Sequence, residues 1–87
     1  MQNSETMAHM MRDQTQYIMM PKYRYARAIG TYVSYDIAAY DCFQRNIVET
    51  VPDVTSDRDL ALRMCERFNR YQLDPCHLLD AIHDMLN

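Results

Sequence analysis

A chain of 87 residues with 48% apolar and 24% charged side chains has room for one folded domain and is neither disordered nor membrane-embedded in composition. Its net charge of −3 argues against wholesale nucleic-acid binding. The charge is uneven: four basic against two acidic residues give residues 1–30 a charge of +2, and five against ten give residues 31–87 a charge of −5. Cys42, Cys65 and Cys76 are an odd set without a CxxC pair, which points to reduced thiols rather than a disulfide framework. No continuous apolar h-region opens the sequence, and no apolar run approaches the roughly 18 residues of a membrane helix. A cytoplasmic protein with no membrane partner is therefore expected.

Residues 1–21 hold six of the eight methionines, are otherwise mostly polar, and end at Met20-Pro21. Met7, Met10, Met11 and Ile18 fall on one helical face, but Gln14 interrupts it and no capping box precedes it. A flexible Met-rich tail over 1–21 is the favoured reading, leaving a single domain over 22–87. From Lys22 the pattern turns to strand. Lys22-Tyr23-Arg24-Tyr25 alternates, Gly30 punctuates, and Thr31 to Tyr40 gives the clearest strand, with Val33, Tyr35, Ile37 and Ala39 predicted to face the core. The β-branched run Ile47 to Val51 predicts another strand, and Pro52 ends it or places it at a sheet edge. Between them Asp41 to Asn46 reads as a loop of about four to six residues, because it has neither glycine nor an Asn-Gly pair, and its Phe43 is expected to fold back onto the sheet.

The helical half carries stronger punctuation. Ser56 is predicted to cap a helix running to about Tyr71, with Asp59 completing a capping box and Ala61, Met64, Cys65, Phe68 and Tyr71 forming the apolar stripe. A second helix is predicted to begin with Asp74 as cap and Pro75 in the first turn, stapled by Leu73 and Leu78, with Leu78, Ile82 and Met85 inward. The link Tyr71-Gln72-Leu73 leaves room only for a tight corner. The predicted fold class is α+β: a two- or three-stranded antiparallel sheet packed against a C-terminal helix pair, with a flexible N-terminal tail.

No catalytic or metal grammar stands out. Cys65, Cys76, His77, Asp80, His83 and Asp84 are the densest set of metal-ligating types, and His77, Asp80 and Asp84 share a helical face, but the closely paired Cys and His ligands of a structural zinc site are lacking. A solvated helix face is the simpler account, with Cys65 and Cys76 as small core hydrophobes. Ser34 and Ser56 have no GxSxG elbow, and the single Gly30 makes no phosphate cradle. The carboxylate pairs Asp57/Asp59 and Asp80/Asp84 would need a pocket to shift their pKa values before serving as acid and base. No catalytic residue, metal or cofactor is assigned.

Two binding surfaces remain. Tyr23, Tyr25, Tyr32 and Tyr40 would mark a protein-contact surface if the sheet face opposite the helices is bare, and a free sheet edge is a further place for a partner strand. Alternatively Lys22, Arg24 and Arg27, interleaved with Tyr23 and Tyr25, form a small platform for single-stranded nucleic acid, although the acidic remainder disfavours it.

The C-terminal half also carries the runs Val51-Pro52-Asp53-Val54-Thr55-Ser56-Asp57, Met64-Cys65-Glu66-Arg67-Phe68-Asn69 and Leu73-Asp74-Pro75-Cys76-His77-Leu78-Leu79-Asp80-Ala81-Ile82-His83-Asp84-Met85-Leu86. With these the chain resembles, over about residues 31–87, a family of small bacterial proteins of unknown function. The resemblance implies a strand pair, a capped helix, a short corner and a terminal helix opened by Pro-x-His-Leu. It implies no activity, substrate or cofactor, and its glycine-containing turn is replaced here by Cys42-Phe43-Gln44. It marks Asn69, His77, Asp80 and Asp84 as polar positions, for which local hydrogen-bonding roles are expected. The combined expectation is a non-enzymatic interaction or regulatory module whose partner is another protein or a second copy, with a nucleic-acid accessory protein as the alternative.

Overall fold

The computed structural model describes residues 15–87. The Met-rich positions 1–14 of the expected tail lie outside the described residues. The chain forms an α+β unit: strands β1 (Thr15–Ala26), β2 (Gly30–Asp41) and β3 (Asn46–Thr55), then helix α1 (Arg58–Arg70), a 3₁₀ turn (Pro75–His77) and helix α2 (Leu78–Leu86). The sheet is an antiparallel meander in the order β1-β2-β3.

The tail boundary expected at Pro21 is corrected. Thr15–Pro21 pair with Tyr35–Asp41 in continuous register and belong to the sheet. Tyr17 is among the most buried side chains, at 3% exposure. Its ring packs edge-on against Phe68, with centroids 5.7 Å apart, and its hydroxyl donates to the Leu73 carbonyl. The strand is therefore held by residues of α1 and of the corner beyond it, which no local sequence pattern announces.

Each turn has an identifiable cause. Between β1 and β2 the Ile29 N–H donates to the Ala26 carbonyl at 3.1 Å, and Gly30 follows at φ +80°, so a type I turn is closed by a residue in the left-handed region. Between β2 and β3 the Asp41 carboxylate accepts the Phe43 and Gln44 N–H groups, while its carbonyl accepts the Arg45 N–H. Arg45 supplies the left-handed residue, at φ 61°, that glycine would ordinarily provide. Phe43, expected to fold onto the sheet, instead stands 71% exposed, because the core cluster under the helices reaches no further along β2 than Ala39. Pro52 does not end β3: pairing resumes at Thr55, after an irregularity in which Asp53 adopts φ 53°.

The α1 cap lies one residue later than expected. Asp57, not Ser56, accepts the Leu60 N–H at 3.2 Å, and Thr55 Oγ1 accepts the Asp57 N–H. At its far end α1 closes in a Schellman motif, with Leu73 N–H on the Phe68 carbonyl, Gln72 N–H on that of Asn69, and Gln72 at φ 53°. Tyr71, assigned to the apolar stripe, is 68% exposed because the helix has already ended there. Asp74 accepts the Cys76 N–H as anticipated, but the turn it caps is 3₁₀ before α2 begins at Leu78.

The helices cover one sheet face. Tyr17, Ile37 and Ala39 meet Met64, Cys65, Phe68, Leu78 and Ile82 in one cluster, flanked by Met19, Val51, Val54 and Leu73. Of the predicted core face of β2, Ile37 and Ala39 are fully buried and Val33 and Tyr35 only half-buried, because the sheet runs on past the helices.

Candidate functional site

The overhang is what positions the exposed aromatic residues. The last pair between β2 and β3 is Tyr35 with Thr55, whereas β1 and β2 continue from Lys22–Ser34 to Ala26–Gly30. Five residue pairs, about 17 Å at strand rise, thus project as a two-stranded ribbon without a third strand. Tyr23 is 84% and Tyr25 71% exposed on this ribbon, and Ile29 is 69% exposed at its tip. Tyr23 and Tyr25 are two residues apart and so share a face, with Cα atoms about 7 Å apart along the strand. Lys22 and Arg27 are also exposed, and residues 22–34 contain no acidic side chain.

The four tyrosines expected to form one surface do not. Alternation places Tyr23 and Tyr25 on the same side as Tyr17 and Met19, beyond the helices, whereas Tyr32 and Tyr40 lie half-buried on the opposite side. The ribbon therefore carries Tyr23, Tyr25 and Ile29 as its exposed large side chains. Ile29 was not anticipated, since a lone apolar residue in a turn carries no periodic signal.

Arg24, grouped by sequence with Lys22 and Arg27, is committed elsewhere. Its guanidinium donates to Asp36 Oδ1 at 2.6 Å and to Ser34 Oγ at 2.8 Å, and Asp53 Oδ1 lies 3.8 Å from its Nε. Asp36 also accepts the Asp53 N–H at 2.9 Å, so one buried carboxylate anchors both the arginine and the irregular turn of β3. Burial by itself would raise the Asp36 carboxyl. The Asp53 N–H and the Arg24 guanidinium, helped by the charge of Lys22, outweigh it and hold the group below the ordinary carboxylate range. Ser34 is bound in this cluster and fully buried.

Where the sheet is three-stranded, neither outer edge offers a clean template for a partner strand, whereas along the ribbon residues 30–34 of β2 have no strand partner on the β3 side. The Tyr17 N–H points out of β1 and donates to Asn69 Oδ1 at 2.7 Å, while Asn69 Nδ2 donates to the Tyr17 carbonyl at 3.1 Å. The Asn69 amide thus pairs with the edge as a strand would. Alternation gives Pro21 the same outward backbone position as Tyr17, where its missing N–H removes a donor. On β3 the ladder faces inward at Glu49 and Val51, which puts Pro52 outward as well. The role expected for Asn69 was local; the observed one spans 52 residues.

The helical candidates stay apart. His77 and Asp80 are exposed at the start of α2, and His83 and Asp84 are exposed near its end. Among the described residues no group of three or more His, Cys, Asp or Glu side chains is placed to hold a metal ion. Cys65 is buried, and that burial, with the nearby Glu66 charge, pushes its thiol up to about 11. Cys76 is exposed, contrary to its expected core position, and a hydrogen bond to the Asp74 carboxylate raises its pKa. Cys42 is half-buried, and all three thiols are free.

Between α1 and α2 runs an open groove of about 450 Å³ with Phe68, Leu73, Ala81 and Met85 in its lining. A second depression of about 320 Å³ adjoins it and shares Arg67 and Met85. No helix among the described residues is long and apolar enough to cross a membrane. No protein-family model matches the chain, and neither a curated protein nor a solved structure shows significant similarity to it.

Proposed function

We propose that this protein is a non-enzymatic interaction module that docks a protein partner through its projecting β-ribbon. The observation that carries the reading is the exposure of Tyr23 and Tyr25, at 84% and 71%, on a regular strand where the fold leaves them uncovered. Aromatic side chains held on a paired strand lose little conformational freedom on binding and supply large amphipathic contact area. Ile29 at the tip extends that area, and Lys22 and Arg27 supply a polar rim. Three free thiols suit a reducing compartment, so the cytoplasm is the proposed location.

A protein is favoured over nucleic acid because Arg24 is occupied by Asp36, leaving two exposed cations for phosphate contacts. Nucleic acid is retained as the second reading because the two rings share one face of the ribbon and the exposed Lys22 and Arg27 flank them in sequence, two elements of a stacking platform.

The test is cross-linking of the full chain in its native cells, with retained proteins identified by mass spectrometry and compared with a Tyr23→Ala/Tyr25→Ala variant. Both residues are exposed, so melting should be unchanged while a specific protein is lost. Recovery of the same proteins by both chains refutes the ribbon as the contact surface. Binding of an oligothymidylate that weakens with salt, and with Lys22→Glu/Arg27→Glu, transfers the ribbon to the second reading.

A further inference from the structure

The groove between α1 and α2 has a feature that the ribbon does not explain. Arg63, Arg67 and Arg70 stand at i, i+4 and i+7 on α1, a single face about 10 Å long. All three border the groove or its adjoining depression. Among the described residues none of them is ion-paired, although Glu66 and Asp84 line the same space. Arg67 lies over the Tyr71 ring, 5.7 Å from its centroid, a cation–π contact that favours this placement of its guanidinium. Beneath the row the lining is apolar and firm: Phe68 is buried, and Leu73, Ala81 and Met85 pack against the core cluster.

We propose that this groove seats an acidic amphipathic peptide segment of a protein partner, with its apolar side chains over Phe68 and Met85 and its carboxylates on Arg63, Arg67 and Arg70. Charge complementarity selects this occupant. The arginine row is a basic strip on a chain of net charge −3, so an acidic segment is repelled by most of the surface and attracted at this place. An apolar floor alongside the row favours a helix or extended segment with alternating character over a uniformly charged polyanion. Guanidinium groups add geometric specificity, because each can engage a carboxylate through two parallel hydrogen bonds. The proposal shares with the ribbon reading the idea of an interaction module, but it uses different residues and can fail separately.

The experiment uses the full chain and a fluorescein-labelled synthetic peptide with leucine on one helical face and glutamate elsewhere, with a lysine-for-glutamate peptide as its counterpart. Saturable binding of the glutamate peptide is expected, weakening with salt and falling at least about tenfold in Arg63→Glu/Arg70→Glu. That variant should still fold cooperatively, with melting lowered modestly, since neither side chain is ion-paired and the loss is confined to charge–dipole and like-charge effects on the surface of α1. Lys22→Glu/Arg27→Glu carries the same change in net charge on the ribbon and should leave the affinity unaltered. Absence of saturable binding, equal binding of the lysine peptide, or equal losses in the two double variants overturns the proposal. So does preferential binding of phosphatidylglycerol vesicles, which assigns the row to a lipid surface. A wild type that sediments as a dimer, with Arg63→Glu/Arg70→Glu a monomer, assigns the groove to a second copy and likewise overturns it.

Discussion

Replacing Asn69 with alanine removes both arms of the amide that closes the β1 edge, the 2.7 Å bond from the Tyr17 N–H and the 3.1 Å bond to its carbonyl. A typical intramolecular hydrogen bond contributes about 0.5–1.5 kcal/mol net, so two give about 1–3 kcal/mol. Asn69 lies on the exposed side of α1, where water repairs part of the loss, which puts the expected cost at about 1–2 kcal/mol. For a domain of this size 1 kcal/mol moves the melting temperature by about 4–8 °C, so a fall of roughly 5–15 °C is expected by circular dichroism. Hydrogen exchange at the Tyr17 amide should accelerate together with the melting shift. Asn69→Asp separates the two arms. Its carboxylate still accepts from the Tyr17 N–H but repels the Tyr17 carbonyl, and protonation restores a donor. At neutral pH Asn69→Asp should therefore keep one arm and lose the other, with the Tyr17 amide still protected from exchange. A melting temperature within about 2 °C of wild type for Asn69→Ala, with unchanged Tyr17 protection, would refute the edge-closure argument.

Asp36→Asn should cost about 1–3 kcal/mol at neutral pH through the weakened Arg24 and Asp53 contacts. Because the Asp36 pKa is depressed in the folded state, its contribution is present above the unfolded value of 3.8 and is lost on acidification below it. The melting difference between wild type and variant should accordingly narrow below about pH 4 in a pH series, and a constant difference down to pH 2 contradicts the assignment. Arg45→Gly relieves a left-handed conformation costing roughly 1–2 kcal/mol and adds about 0.5–1 kcal/mol of unfolded-state entropy, so a net gain of about 0.5–1 kcal/mol is expected in urea unfolding. A loss of stability would show that the Arg45 side chain matters more than its backbone. In thiol titration at pH 7.5, Cys65 should resist labelling until the chain unfolds; rapid native-state reaction there contradicts its burial.

The features legible in the sequence are those decided within one turn or one strand. Alternation marked Ile37 and Ala39 as inward-facing, and the helical stripe picked out Ala61, Met64, Cys65 and Phe68. Asp74 was readable as a cap because capping is a contact over two or three residues, and the same short range explains why the α1 cap moved only from Ser56 to Asp57. Pro52 could be read as an edge residue because its missing N–H is intrinsic to the side chain.

Tertiary structure alone decided what depends on distant residues. Thr15–Pro21 become strand because β2 supplies their ladder and because Asn69, Phe68 and Leu73, more than fifty positions away, hold Tyr17. Arg24 is withdrawn from the basic segment because the chain brings Asp36 and Asp53 beside it. Tyr23 and Tyr25 are exposed, and Tyr17 on the same side of the same strand is not, because the helices end before the ribbon does. Side-chain chemistry and local spacing set which face each residue presents; where the helices stop decides which of those faces is left uncovered.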